Sequence, residues 1–86
     1  MEAHTKSLHV SVSNADELIW EGGALSVSSE NQAGPFDILP GHANFITMIE
    51  GRPITIRTDS GESKNCTYPN AVIYVLGDTV KIYVNI

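Results

Sequence analysis

Alternation of apolar and polar residues with a period of two most restricts what this chain can fold into. The pattern recurs over residues 8–13, 25–28, 54–57 and 80–85. A strand with one buried face has this period, whereas an amphipathic helix repeats its apolar residues every 3.6 positions. No long stretch keeps a helical period without a Gly or Pro inside it. The sequence therefore predicts an all-β fold.

Turn-forming residues separate these segments at short intervals. The clearest hairpin turns are predicted at residues 59–61 and 77–78, because Gly and Asp tolerate the positive φ that tight hairpins need. The Gly22-Gly23 pair is also predicted to form a tight turn. This spacing predicts a small antiparallel β-sandwich or flattened barrel of about eight to ten short strands. We expect a disordered N-terminus over residues 1–6 and a single domain over residues 7–86.

The charge and hydropathy patterns exclude several classes of function. Ten acidic and five scattered basic residues give a net charge of −5. Because nucleic-acid binding needs clustered cations, that function is not expected. The longest apolar run, residues 71–76, is far shorter than the ~20 residues that span a bilayer, so membrane insertion is not expected either. The polar N-terminus does not resemble a signal peptide.

The residues best suited to chemistry do not form a recognisable site. His4, His9 and His42 have no partner at a metal-ligand spacing. Cys66 could act as a nucleophile only with a histidine base and a lowered thiol pKa. The sequence therefore predicts no catalytic residue, no metal site and no cofactor.

The most informative segment is residues 34–49. A Gly-Pro pair begins a rigid extended approach, and Phe36, Ile38 and Leu39 are predicted to anchor the segment in the core. A Pro-Gly turn then presents residues 42–44 at a polar loop tip. Such a tip suits a recognition surface. An ordinary loop with core anchors explains the same residues equally well.

This segment also carries a family resemblance. It is similar to the signature of the epsilon subunit of F-type ATP synthases, which is called delta in mitochondria. The residues in step with that signature are Gly34, Phe36, Ile38, Leu39, Pro40, Gly41, His42, Ala43, Phe45, Ile46 and Thr47. The flanking strands agree, so that the resemblance covers about residues 7–84. Asp37 departs from it where the family usually has Gly, and residues 69–71 depart where many members have a Gly-Gly pair.

The resemblance implies a non-catalytic subunit of the rotor's central stalk. Such a domain binds the gamma subunit and the c-ring, and it couples ion flow to ATP synthesis or hydrolysis. It is a peripheral part of a complex on the cytoplasmic face of the membrane, and it is soluble when isolated. The chain ends at Ile86 without the family's C-terminal helical hairpin, so no ATP binding is expected. The alternative is a stand-alone β-sandwich module that binds a protein or a ligand.

The resemblance also implies which residues meet each partner. The loop from Glu30 to Asn44 is expected to face the c-ring, with its polar side chains complementing that surface. Its candidate contact residues are Glu30, Asn31, Gln32, Pro35, Asp37, His42, Ala43 and Asn44. Tyr74 and Tyr83 are the candidates for the gamma-facing side, because tyrosine offers a large apolar area with a polar end.

Overall fold

The computed structural model describes residues 7–41 and 44–86, and all regular structure in this part of the chain is strand. The strands are β1 (Leu8–Ser13), β2 (Leu18–Asn31), β3 (Gly34–Ile38), β4 (Phe45–Ile49), β5 (Pro53–Thr58), β6 (Ser63–Thr67), β7 (Ala71–Leu76) and β8 (Thr79–Val84). The predicted all-β fold is therefore confirmed. The predicted disordered segment, residues 1–6, lies outside the described residues.

One curled sheet, in the order β4-β7-β8-β1-β2-β5-β6 with β3 beside β2, forms the sandwich. The 14-residue strand β2 joins its two halves. The first part of β2 pairs with β1, and the second part pairs with β5 on one side and β3 on the other. Strands β1 and β8 run parallel, whereas the other pairs described are antiparallel.

The core lies between the two halves and consists of the inward residues of the alternating strands. Fully or almost fully buried side chains include Leu8, Val10, Val27, Ile38, Ile54, Ile73, Val75, Val80, Ile82 and Val84. The buried hydroxyls are also satisfied: Ser29 Oγ donates to the carbonyl of Pro53 at 2.9 Å, and Thr58 Oγ1 donates to that of Glu62 at 2.9 Å. The core is therefore apolar, and the period-two pattern predicts most of its members. Leu25 is an exception, because the pairing of β2 with β5 shifts its register between Ala24 and Ser26 and Ala24 is buried instead.

The two predicted hairpin turns are confirmed, whereas the predicted Gly22-Gly23 turn is wrong. Residues 59–61 join β5 to β6, and residues 77–78 join β7 to β8, with positive φ at Gly61 and Gly77. The Gly22-Gly23 pair, in contrast, lies inside β2 and continues the strand. The pair allows close approach of other groups rather than a change of chain direction. A Cβ on Gly22 would lie 2.8 Å from Cζ2 of the Trp20 ring, and one on Gly23 would meet a carboxylate oxygen of Asp59.

These contacts give the two glycines different expected sensitivities. We expect Gly22→Ala to lower the free energy of unfolding by about 1–3 kcal/mol, because the Trp20 ring packs against the core and must shift. We expect Gly23→Ala to cost less, because the exposed Asp59 carboxylate can rotate away. Urea denaturation of both variants measures the difference. Equal losses would show that the ring does not restrict position 22.

Candidate interaction surfaces

The outer side of β4, β7 and β8 carries neighbouring exposed apolar side chains. Ile46 on β4 lies opposite Tyr74 on β7. Two residues further along β4, Met48 lies opposite Val72, which is itself opposite Tyr83 on β8. We call this surface the apolar face, and its residues are Ile46, Met48, Val72, Tyr74, Leu76 and Tyr83.

The apolar face is unusual for the exterior of a small domain. Ile46 keeps 65% of its surface exposed and Tyr74 keeps 40%, although side chains directly opposite each other in a sheet cover one another in part. Contiguous exposed apolar patches on soluble proteins mark interaction sites. The outward residues become polar within β8, where Lys81 lies opposite Tyr74 and Thr79 lies opposite Leu76. They remain polar on β1, where His9 and Ser11 lie. The structure therefore brings the two predicted tyrosines together on a surface suited to a protein partner.

A polar surface occupies the tip of the β2–β3 hairpin, where Glu30, Asn31 and Gln32 lie. The amide nitrogen of Asn31 donates to Thr47 Oγ1 at 2.9 Å, which fastens the hairpin tip to β4. The amide oxygen of the same side chain accepts from the backbone N–H of Ala33 at 2.8 Å and shapes the turn. The tip is therefore held in place by its own side chains.

The remaining hairpin candidates lie on β3. Pro35 is exposed and sits opposite Glu30 in the β2–β3 register. Asp37 is exposed as well, and its carboxylate accepts a hydrogen bond from Ser28 Oγ at 2.5 Å. This carboxylate is thus held within the hairpin.

The expected single loop from Glu30 to Asn44 is divided by β3. Beyond that strand, the backbone N–H of Gly41 donates to the carboxylate of Asp78 at 2.9 Å. The side-chain oxygen of Asn44 accepts from the N–H of Gly77 at 2.7 Å. This second part is therefore fastened to the β7–β8 turn rather than to the hairpin tip. His42 and Ala43 lie outside the described residues.

The predicted core anchors of this segment are only partly correct. Ile38 is fully buried, and Phe36 is half-buried with its ring edge-on to Phe45 at a centroid distance of 5.8 Å. Leu39 is 53% exposed, so its predicted anchoring is wrong. The reason is alternation: Ile38 ends β3 pointing inward, and the next side chain points outward.

The other residues with potentially reactive side chains, His9 and Cys66, make contacts within the domain. His9 Nε2 lies 2.5 Å from a carboxylate oxygen of Glu21, between neighbouring strands. Cys66 is half-buried, and burial raises the pKa of its thiol, which lowers the fraction of reactive thiolate. Across residues 7–41 and 44–86, no group of three His, Cys, Asp or Glu side chains is placed to hold a metal. In the same residues, no helix is long and apolar enough to cross a membrane.

A comparison with known protein families identifies the family to which this β-sandwich belongs. The family model described as "ATP synthase, Delta/Epsilon chain, beta-sandwich domain" matches residues 7–86. The chain belongs to this family. The resemblance read from residues 34–47 is thereby confirmed, and the match extends over both candidate surfaces.

Curated relatives within the family include ATP synthase epsilon chains from Streptomyces. The ATP synthase epsilon chain of Streptomyces avermitilis is 38% identical over 56 residues, which are 65% of this chain and 45% of the relative. That of Streptomyces griseus is 37% identical over 54 residues, 63% of this chain and 44% of the relative. The chain thus matches less than half the length of these relatives.

Solved structures show the same fold at low sequence identity. A chain of the Euglena gracilis mitochondrial ATP synthase (OSCP/F1/c-ring) superposes with a TM-score of 0.82 at 14% identity, covering 91% of this chain and 50% of that one. A chain of the central stalk and c-ring of the Tetrahymena thermophila enzyme gives 0.74 at 12% identity, covering 95% and 66%. At these identities the likeness extends to the fold alone.

Proposed function

We propose that this chain is a non-catalytic subunit in the central stalk of an F-type ATP synthase. In this role it binds the gamma subunit and the c-ring and couples ion flow to ATP synthesis or hydrolysis. The observation that carries the proposal is the family match across residues 7–86. The names of the relatives, ATP synthase epsilon chains, support it.

In this proposal the apolar face binds the gamma subunit. Burying exposed side chains such as Ile46 and Leu76 removes apolar area from water, which stabilises association by about 25 cal/mol per Å² before the costs of binding. Tyr74 and Tyr83 add aromatic area with a polar end, and tyrosine is enriched at the hot spots of protein–protein interfaces. The two tyrosines are therefore the proposed gamma-facing residues together with their apolar neighbours.

The c-ring contacts are proposed on the polar residues around β3. Glu30, Asn31, Gln32, Pro35 and Asp37 supply them from the β2–β3 hairpin, and Asn44 supplies one beside the β7–β8 turn. His42 and Ala43 are proposed as contact residues as well. Polar and charged contacts of this kind fix orientation more than they add net affinity. This arrangement gives the domain one surface for each partner. In the proposal the domain is a peripheral part of the membrane-bound complex.

A subunit of this kind transmits force rather than performing chemistry. The sheet suits that task because the hydrogen-bonded order from β4 to β6 is continuous, with β2 shared by both halves. Force applied at the hairpin tip passes through β2 and then β1 into β8, which carries part of the apolar face. In this proposal, no residue of the chain is catalytic and none binds a nucleotide.

A titration of the full chain with purified gamma subunit from the same source tests this function. We expect saturable binding with a Kd of about 1 μM or tighter, which corresponds to at least about 8 kcal/mol. Circular dichroism of the same sample confirms that the β fold is intact. A folded chain that does not bind gamma would contradict the proposal and leave the alternative of a stand-alone binding module.

A further inference from the structure

A depression between two turns adds residues to the hairpin surface that the sequence pattern does not single out. It lies where the β2–β3 hairpin tip meets the β4–β5 turn, and its volume is about 210 Å³. Its lining residues are Glu30, Asn31, Gln32, Met48, Glu50 and Arg52. An adjoining depression of about 370 Å³ shares Asn31, Gln32, Met48 and Glu50 with it. Gln32, Met48, Glu50 and Arg52 are exposed, so that a protruding side chain of a partner can reach them.

Two carboxylates line this depression, and their situations differ. Nη1 of Arg52 donates to Oε1 of Glu30 at 3.2 Å, so that Glu30 is already paired within the domain. Glu50 is exposed, and no described residue forms a hydrogen bond or ion pair with its carboxylate. The lining is negative on balance, and Glu50 provides the acceptor that is open to a partner.

We propose that Glu50 receives a lysine or arginine side chain from a loop of the c-ring, an inference that rests on the proposed function. Met48, 57% exposed, offers apolar surface to the methylene stem of such a side chain. The Glu50 carboxylate then forms a charge-assisted hydrogen bond with the cationic end. The amide oxygen of Gln32 accepts a further donor, because ammonium and guanidinium groups carry several. This pair sets the position of the domain on the ring.

Binding of the gamma-bound full chain to purified c-rings tests the role of Glu50. Biolayer interferometry at low and moderate salt gives the affinity and its salt dependence. We expect Glu50→Gln, which keeps the shape and removes the charge, to weaken c-ring binding about 10-fold and to reduce the salt dependence. We expect Glu50→Lys to weaken it about 100-fold, because two like charges then meet.

Glu62→Gln is the matched control, since it removes the same charge from the β5–β6 turn. We expect it to change the affinity less than about two-fold. Wild-type c-ring affinity in Glu50→Gln would overturn the role of Glu50 while leaving the proposed function in place. Equal losses in both variants would overturn it as a net-charge effect, and a loss confined to gamma binding would reassign the depression to gamma. A wild-type complex that does not bind c-rings would overturn both proposals.

Discussion

Leu76→Glu is expected to weaken binding of the gamma subunit by about 100-fold. Leu76 lies at the end of β7 on the apolar face and keeps 55% of its surface exposed in the free chain. In the proposed complex that surface is covered by gamma. A glutamate there must therefore lose its hydration without gaining a compensating hydrogen bond or positive charge from gamma. An unpaired charge within an apolar interface costs several kcal/mol, which is enough for a loss of this size. Isothermal titration of the variant with gamma measures it.

Leu18→Glu is the control for this experiment. Leu18 is 56% exposed and therefore matches Leu76 in residue type and accessibility, but it lies at the start of β2, outside the apolar face and separated from Tyr83 by Ser13 of β1. We expect its affinity for gamma to remain within about two-fold of wild type. Both are exposed positions, so the free energy of unfolding should change by less than about 0.5 kcal/mol in either variant. Equal affinities for gamma in the two variants would show that the apolar face does not bind it.

Strand positions and core residues are largely predictable from this sequence, because alternation reports directly which side of a strand is buried. Val80, Ile82 and Val84 alternate with polar or exposed neighbours, so the inward phase of β8 is unambiguous and Tyr83 must point outward. β7 is apolar at every position, and its pattern alone does not give the phase. Cross-strand pairing with β8 resolves it, placing Ile73 inward and Tyr74 outward.

The Gly22-Gly23 error has a physical cause. A glycine pair in sequence is consistent with a turn and equally with a strand that another side chain approaches closely, since both need a missing Cβ. What distinguishes them is the position of the Trp20 ring and of Asp59, and the second lies 36 residues further along the chain than Gly23. Local pattern does not contain that contact.

The composition of the two candidate surfaces also depends on contacts between residues that are far apart in the sequence. The sequence singles out Glu30, Asn31 and Gln32 because they are consecutive, polar and next to a family signature. Arg52 joins them through the pairing of β2 with β5, which brings it to Glu30, 22 positions earlier. Glu50 joins them because it follows β4, to which Asn31 is hydrogen-bonded. The apolar face likewise depends on the register of β4 against β7. Long-range register, rather than local pattern, decides which exposed residues act together.

Ile38→Ala is expected to lower the free energy of unfolding by about 2–5 kcal/mol, the usual range for removing a large aliphatic side chain from a core. Ile38 is fully buried at the end of β3, opposite Val27 of β2, which is also fully buried. Its replacement leaves a cavity between the two halves of the sandwich. In a domain this small, whose core must supply most of the stability, such a loss is a large fraction of the total. Urea denaturation followed by circular dichroism measures it.

Leu39→Ala provides the comparison at the adjacent position, because Leu39 follows Ile38 directly and is 53% exposed. Removing an exposed leucine side chain should change the free energy of unfolding by less than about 0.5 kcal/mol. A difference of at least about 1.5 kcal/mol between the two variants is therefore expected. Similar losses would mean that Leu39 also packs into the core, as predicted from residues 34–49. The pair of variants thus tests whether the chain leaves the core directly after Ile38, which decides where the second part of the predicted loop begins.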